Sequence, residues 1–313
     1  FYDLERYLDR QQDILAIWQG GMSFHGGLIG ATLGLWLFAK RRGYPALSVF
    51  DLAAAVVPIG LLLGRIANFI NGELWGRVEM AKRRLVSALL VMGLPVASRE
   101  TEDLERGVMF DFLRSPTKGP HVMTGHNSGL ITLNIDEADP ARREAARQAM
   151  DEPYRTLVGH FRHEIGHFYW KELVRDTVTL EEARRLFGDE REDYAAALRR
   201  NYEQGPPPDW QDRFISTYAS CHPAEDFAEC WAHYLHIVDT LETARAFGLN
   251  TDPKGHEELE AEVTFDPYRA PSAGRLVEAW IPLSVAMNAI QRSMGQPDSY
   301  PFLLPPPVVE KLD

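Results

Sequence analysis

The sequence predicts an α+β fold, mainly helical, preceded by a two-helix membrane-like hairpin. Three observations predict it. Two uncharged, apolar stretches near the start flank a basic triplet. Helix-like stretches fill most of the remainder. Strand candidates are few and short, namely Phe110–Leu113 and Gly129–Ile135. A chain of 313 residues accommodates one hairpin and one domain with a sizeable core.

The elements follow in order. Ser23–Ala39 carries no Asp, Glu, Lys or Arg, and Leu52–Gly64 is apolar too. A bilayer-crossing helix needs roughly 20 such residues. Lys40-Arg41-Arg42 between the stretches is then a cytoplasmic loop. Residues 78 to 94 read as an amphipathic helix and 96 to 120 as irregular chain. Gly125–Ser128 reads as a turn before the Gly129–Ile135 strand, whose edge is a candidate for pairing with extended peptide. Helices are predicted over Pro140–Tyr154, around His163, over Asp189–Gln204 and from Pro223 onward. Asp189, Glu190, Glu192 and Asp193 form a solvated helix start. The proline-rich tail after Gly295 is predicted to lie as extended coil.

Chemistry concentrates in His163-Glu164-Ile165-Gly166-His167, an HExxH pattern. On a helix, residues four apart share a face, so both imidazoles can hold one cation. Glu164 is then placed to take a proton from a metal-bound water. Apolar neighbours such as Phe161, Ile165 and Trp170 predict a buried helix, where polar side chains need partners. Gly166 costs a helix about 1 kcal/mol relative to alanine, which implies a close approach to its backbone. Catalytic zinc takes three protein ligands and leaves a position for water. Glu225 and Glu229 lie four apart on the later helix. One carboxylate can bind zinc while the other fixes the tautomer of a ligand histidine. His160, His222, His233 and His236 are assigned supporting or structural places. Cys221 and Cys230 are packing residues in a reducing compartment. The net charge of −12 excludes a nucleic-acid partner.

HExxH followed by a glutamate on a later helix resembles the gluzincin pattern. It is most similar to the lethal-factor type, in which a tyrosine precedes the ligand glutamate by seven residues, as Tyr218 precedes Glu225. That resemblance implies Glu225 as the third ligand, Glu229 and His160 as supporting residues, and Tyr218 as donor to a developing oxyanion. From residue 78 to the end, HVMTGHNSGLITLNI, EPYRTLVGHFRHEIGHFYW and HPAEDFAECWAHYLHIVDTL resemble a family of bacterial zinc-binding metallopeptidases. The implied activity is zinc-dependent hydrolysis of a peptide or protein with one Zn2+. A non-catalytic zinc module is the alternative. Members of that family usually begin with a cysteine-rich zinc ribbon, for which this sequence has no CxxC.

Residues 1 to 77 resemble something else. Gly64-Arg65-Ile66-Ala67-Asn68-Phe69-Ile70-Asn71-Gly72-Glu73 is similar to the signature of prolipoprotein diacylglyceryl transferase. Arg65, Asn68, Asn71 and Glu73 fall on signature positions, and Ala67 stands where many members carry glycine. Ser23–Gly27 resembles a second element of that enzyme, with His25 at its functional histidine. Arg65 within an apolar run is itself a mark of function. The resemblance implies membrane lipid as a partner and a membrane location, whereas the peptidase family is otherwise cytoplasmic. Only a middle slice of the transferase is represented, so a truncated transferase is the lesser reading and no transferase activity is expected. The domains are therefore 1–77 and 78–313, joined by a gene fusion or a mis-joined sequence.

Overall fold

The computed structural model describes residues 24–54, 58, 74–116, 119–150, 152–175 and 177–313. The chain divides into two compact units, Phe1–Gly72 and Glu73–Asp313. In the first unit, helix α1 spans Phe24–Arg42 and ends on Lys40, Arg41 and Arg42. Leu33, Trp36, Leu37 and Phe38 lie exposed along it. Among the described residues no helix is long and apolar enough to cross a membrane. The basic triplet, expected in a loop, forms the last turn of this helix instead. The second predicted arm, Leu52–Gly64, lies mostly outside the described residues. Arg65, Asn68, Asn71 and Glu73 lie outside them as well.

The second unit opens with α2, Leu74–Val91, so the predicted join at 77/78 falls within a continuous helix. Val78, Ala81, Leu85, Ala88 and Leu89 are buried at helical spacing, the predicted amphipathic face. Strands β1 (Met109–Leu113), β2 (Gly125–Asn127) and β3 (Leu130–Asn134) form a sheet in the order β1-β3-β2. β1 runs parallel to β3, and β2 antiparallel to it. Two expectations change here. The chain at Gly125–Asn127 is a strand rather than a turn, because Ser128 (φ 49°) and Gly129 (φ 90°) make the reversal. The 129–135 strand occupies the middle of the sheet, so both its edges are already paired and it cannot receive a peptide.

Helix α3, Pro140–Ala149, is capped by Asp139, whose side chain accepts from Ala141 N. It stops short of the predicted Tyr154, since the Glu152-Pro153 step disfavours helix. Helix α4, Leu157–Tyr169, starts at the Thr156 cap and widens into a π-turn over Trp170–Val174. Helices α5 (Leu180–Phe187), α6 (Tyr194–Gln204) and α7 (Trp210–Arg213) follow. Asp193 caps α6, which therefore begins five residues after the predicted Asp189. Asp189, Glu190 and Glu192 pair with Arg191, Arg184 and Arg200.

The 25-residue helix α8, Pro223–Phe247, is the central pillar. His222 caps its start by accepting from Ala224 N, and Gly248 at φ 64° ends it. One side of α8 joins Phe161, Ile165, Ile131 and Leu85 through Leu235. Another joins Leu276, Trp280, Val308 and Leu312 through Ile237, Val238 and Leu241. Strands β4 (Asn250–Thr251) and β5 (Ala261–Glu262) pair as a small second sheet. Helix α9 (Ala273–Ser293) leads to the last helix, α10 (Pro306–Leu312). The tail is thus extended only up to Pro305. Pro306 then starts a helix at the position where its missing N–H is no loss.

Candidate metal centre

Helices α4 and α8 cross at Gly166. A Cβ there would lie 2.9 Å from Ala228 Cα and 3.1 Å from Trp231 Cβ. The close approach implied by this glycine is therefore made by α8. It brings the His163 and His167 turn against the first turns of α8, which carry Glu225 and Glu229.

Three donor atoms converge. Glu225 Oε2 is 3.0 Å from His163 Nε2 and 3.5 Å from His167 Nε2. The two Nε2 atoms are 3.2 Å apart. Tetrahedral zinc with bonds near 2.1 Å separates its ligands by about 3.4 Å. The three residues form the one group of this kind among the described residues. Glu225 is 2 % exposed, and its Oε2 is buried with no well-directed hydrogen bond. Converging lone pairs around an unsatisfied buried oxygen suit a cation, so the residues present fit zinc.

The surrounding groups fix each donor. His163 Nδ1 is 2.8 Å from Glu229 Oε1, and Ser216 Oγ donates to Glu229 Oε2 at 2.7 Å. With Nδ1–H given to the carboxylate, His163 Nε2 keeps its lone pair for the centre. Burial raises the Glu229 carboxyl, but the His163 hydrogen bond outweighs it and holds the group at about 2. Burial likewise raises Glu225, and the two histidines bring it well below the usual carboxylate range. Burial opposes charge on His163, yet Glu225 and Glu229 raise its proton affinity well above the ordinary value. Together the carboxylates make a pocket for positive charge, filled by a proton when no metal is bound.

The other predicted residues are placed as follows. Glu164 is half-buried on α4 and makes no side-chain hydrogen bond or ion pair among the described residues. The Tyr218 ring centroid is 5.9 Å from that of His163. Burial, then the Glu225 charge, push the Tyr218 phenol far above its ordinary value, so it stays protonated. His160 turns away from the centre: its Nδ1 lies 2.6 Å from Glu137 Oε2, beside Arg155. It supports that separate cluster rather than a ligand. His222 bonds Glu192 O, His233 bonds Tyr300 OH at 2.8 Å, and His236 bonds Arg162. Cys221 and Cys230 are buried and free. His25 lies in α1, outside this unit.

Sequence reasoning missed three residues. Tyr194 donates to Glu225 Oε1 at 2.9 Å. Ser216 holds Glu229. The His126 ring stacks on His167 with centroids 6.2 Å apart. Nothing local marks the first two. For His126, its place beside a strand candidate was the available signal.

Two families of known proteins match the chain. Residues 71–313 match a family described as "Putative zinc-binding metallo-peptidase". Uncharacterised proteins of Mycobacterium bovis and Mycobacterium tuberculosis are each 46% identical over 241 residues, 76% of this chain and 67% of theirs. Residues 1–121 match the prolipoprotein diacylglyceryl transferase family. The phosphatidylglycerol–prolipoprotein diacylglyceryl transferase of Allorhizobium ampelinum is 65% identical over 79 residues, 25% of this chain and 28% of that enzyme. The chain thus represents little more than a quarter of such a transferase. No solved structure matches. With a matching domain over most of its length and a transferase fragment ahead of it, the chain belongs to the zinc-binding metallopeptidase family.

Proposed function

We propose that the second unit is a zinc-dependent hydrolase that cleaves peptide bonds in a peptide or protein. The observation that carries this reading is the convergence of His163 Nε2, His167 Nε2 and Glu225 Oε2 within one HExxH-and-glutamate frame. A bound zinc in such a frame supplies a Lewis acid and brings the pKa of its water to about 7. Glu164, unpaired among the described residues, accepts the water proton and returns it to the leaving amine. Tyr218, kept protonated by burial, donates to the oxyanion that develops on the carbonyl. Glu229 holds His163 in the ligating tautomer throughout.

Purified protein should carry one zinc per chain by elemental analysis, and His163→Ala should lose it. Glu164→Gln should keep the zinc while peptide hydrolysis falls by about 100-fold or more. Near-zero zinc in the wild type, unchanged by His163→Ala, would sink the centre. Equal hydrolysis by wild type and Glu164→Gln would leave a zinc module without catalysis.

For the first unit we propose contact with an anionic lipid surface. Exposed Leu33, Leu37 and Phe38 precede Lys40, Arg41 and Arg42 on one helix, which supports surface binding. Full-length chain should sediment with phosphatidylglycerol vesicles, and Lys40→Glu with Arg41→Glu should abolish this. Equal sedimentation by that variant would reject the contact.

A further inference from the structure

Glu225 reaches the centre with one oxygen and is held by the other. Oε2 faces both imidazoles at 3.0 and 3.5 Å, while Oε1 accepts the Tyr194 hydroxyl at 2.9 Å. Tyr194 is the first residue of α6, so the Asp193 cap fixes where its ring begins. The oxygen that Tyr194 holds is thus the one that points away from the imidazoles.

We propose that Tyr194 is a positioning residue that makes Glu225 a one-oxygen ligand. The inference deepens the zinc reading and rests on it. A carboxylate with both oxygens free closes on a cation through both. That would take up a coordination position a hydrolase needs for water. A phenol hydrogen-bonded to Oε1 opposes this. It lowers the electron density on that oxygen and fixes the carboxylate plane.

Cobalt substitution tests the assignment without relying on turnover. Co2+ bound to four ligands gives strong visible bands, and a fifth ligand atom weakens them. Wild type and Tyr194→Phe are loaded to saturation with Co2+, and affinities are measured against a chelator. Tyr194 is 43 % exposed, so phenylalanine retains the ring without new burial, and unchanged ion-free melting checks the fold. We expect a 10- to 100-fold weaker affinity in the variant, the usual loss for a support to a ligand. We also expect weaker visible bands at saturation. Unchanged bands overturn the proposal. The infrared carboxylate stretches of zinc-loaded wild type provide a second measurement. A splitting typical of one-oxygen ligation supports the assignment, and a two-oxygen splitting overturns it even if the variant fails to fold. A wild type that binds neither Co2+ nor Zn2+ defeats the zinc reading itself, a result distinct from a binding wild type with an indifferent variant.

Discussion

At His163 the two ring nitrogens have separate tasks. Nδ1 is committed to Glu229, which leaves Nε2 for the centre. Three other histidines are held neutral. Burial brings His233 down to about 4, and burial with the His167 charge brings His126 to about 4. Burial and the Arg162 charge hold His236 well below the ordinary value. For each, the folded value lies below the unfolded value of about 6.5. Their contribution to stability is therefore complete above pH 6.5 and is lost as pH falls toward 4. Asp226 runs the other way: burial raises it to about 6, so its contribution is complete below about 3.8 and lost as pH rises through 6. Three histidines outweigh one carboxyl. The ion-free fold should lose stability between pH 6.5 and 4, with fully buried His233 responsible for roughly 3 kcal/mol. Urea midpoints of chelator-treated protein at pH 7, 5.5 and 4.5 check this. His233→Gln should flatten the slope, and an equal slope in both proteins would reject the assignment. At this scale the sequence was readable wherever chemistry follows spacing. His163 and His167 lie one helical turn apart, and the Glu225–Glu229 pair repeats the pattern. Tyr194 meets Glu225 across 31 residues of chain, and no period encodes such a contact.

Between elements, the contact that matters most is that of α4 with α8 at Gly166. A methyl group there meets backbone rather than a flexible side-chain tip. Gly166→Ala should therefore push the helices apart, with a loss of about 1–3 kcal/mol despite the higher helix propensity of alanine. Because the proposed ligands sit on both helices, zinc affinity should fall with it. Thermal melting and chelator competition would show both effects, and a more stable variant with unchanged affinity would contradict the packing account. The start of α8 was legible because Pro223 acts within its own turn, whereas the Asp193 cap sets the start of α6 five residues after the expected Asp189. The sheet was not. Parallel pairing of β1 with β3 brings together residues about twenty apart, and only that pairing turns the β3 strand from an edge into a centre. In α1 the pattern was legible but its end was not, since the basic triplet continues the helix it was expected to follow.

For the second unit as a whole, α10 is the part whose role its sequence hides. Lys311 Nζ lies 2.6 Å from Asp226 Oδ2, with 6 % and 0 % of the two side chains exposed. The ammonium also donates to Arg213 O at 2.8 Å. Asp226 adjoins Glu225, so the last helix braces the turn that presents the proposed third ligand. Lys311→Met should strand a buried carboxylate and cost about 3–5 kcal/mol. The loss should shrink in acid as Asp226 takes up a proton. Urea unfolding at pH 7.5 and 5 measures it, and a variant as stable as wild type at both would reject the brace.

That brace also orders events in time. Asp226 and Lys311 are 85 residues apart. On a ribosome adding 5–20 residues per second, about 4–17 s separate the synthesis of the two partners. During that interval HExxH and Glu225 already exist, but the first turn of α8 lacks its buried counter-charge. A nascent chain therefore gains the ion pair that braces this turn only after α10 has been made.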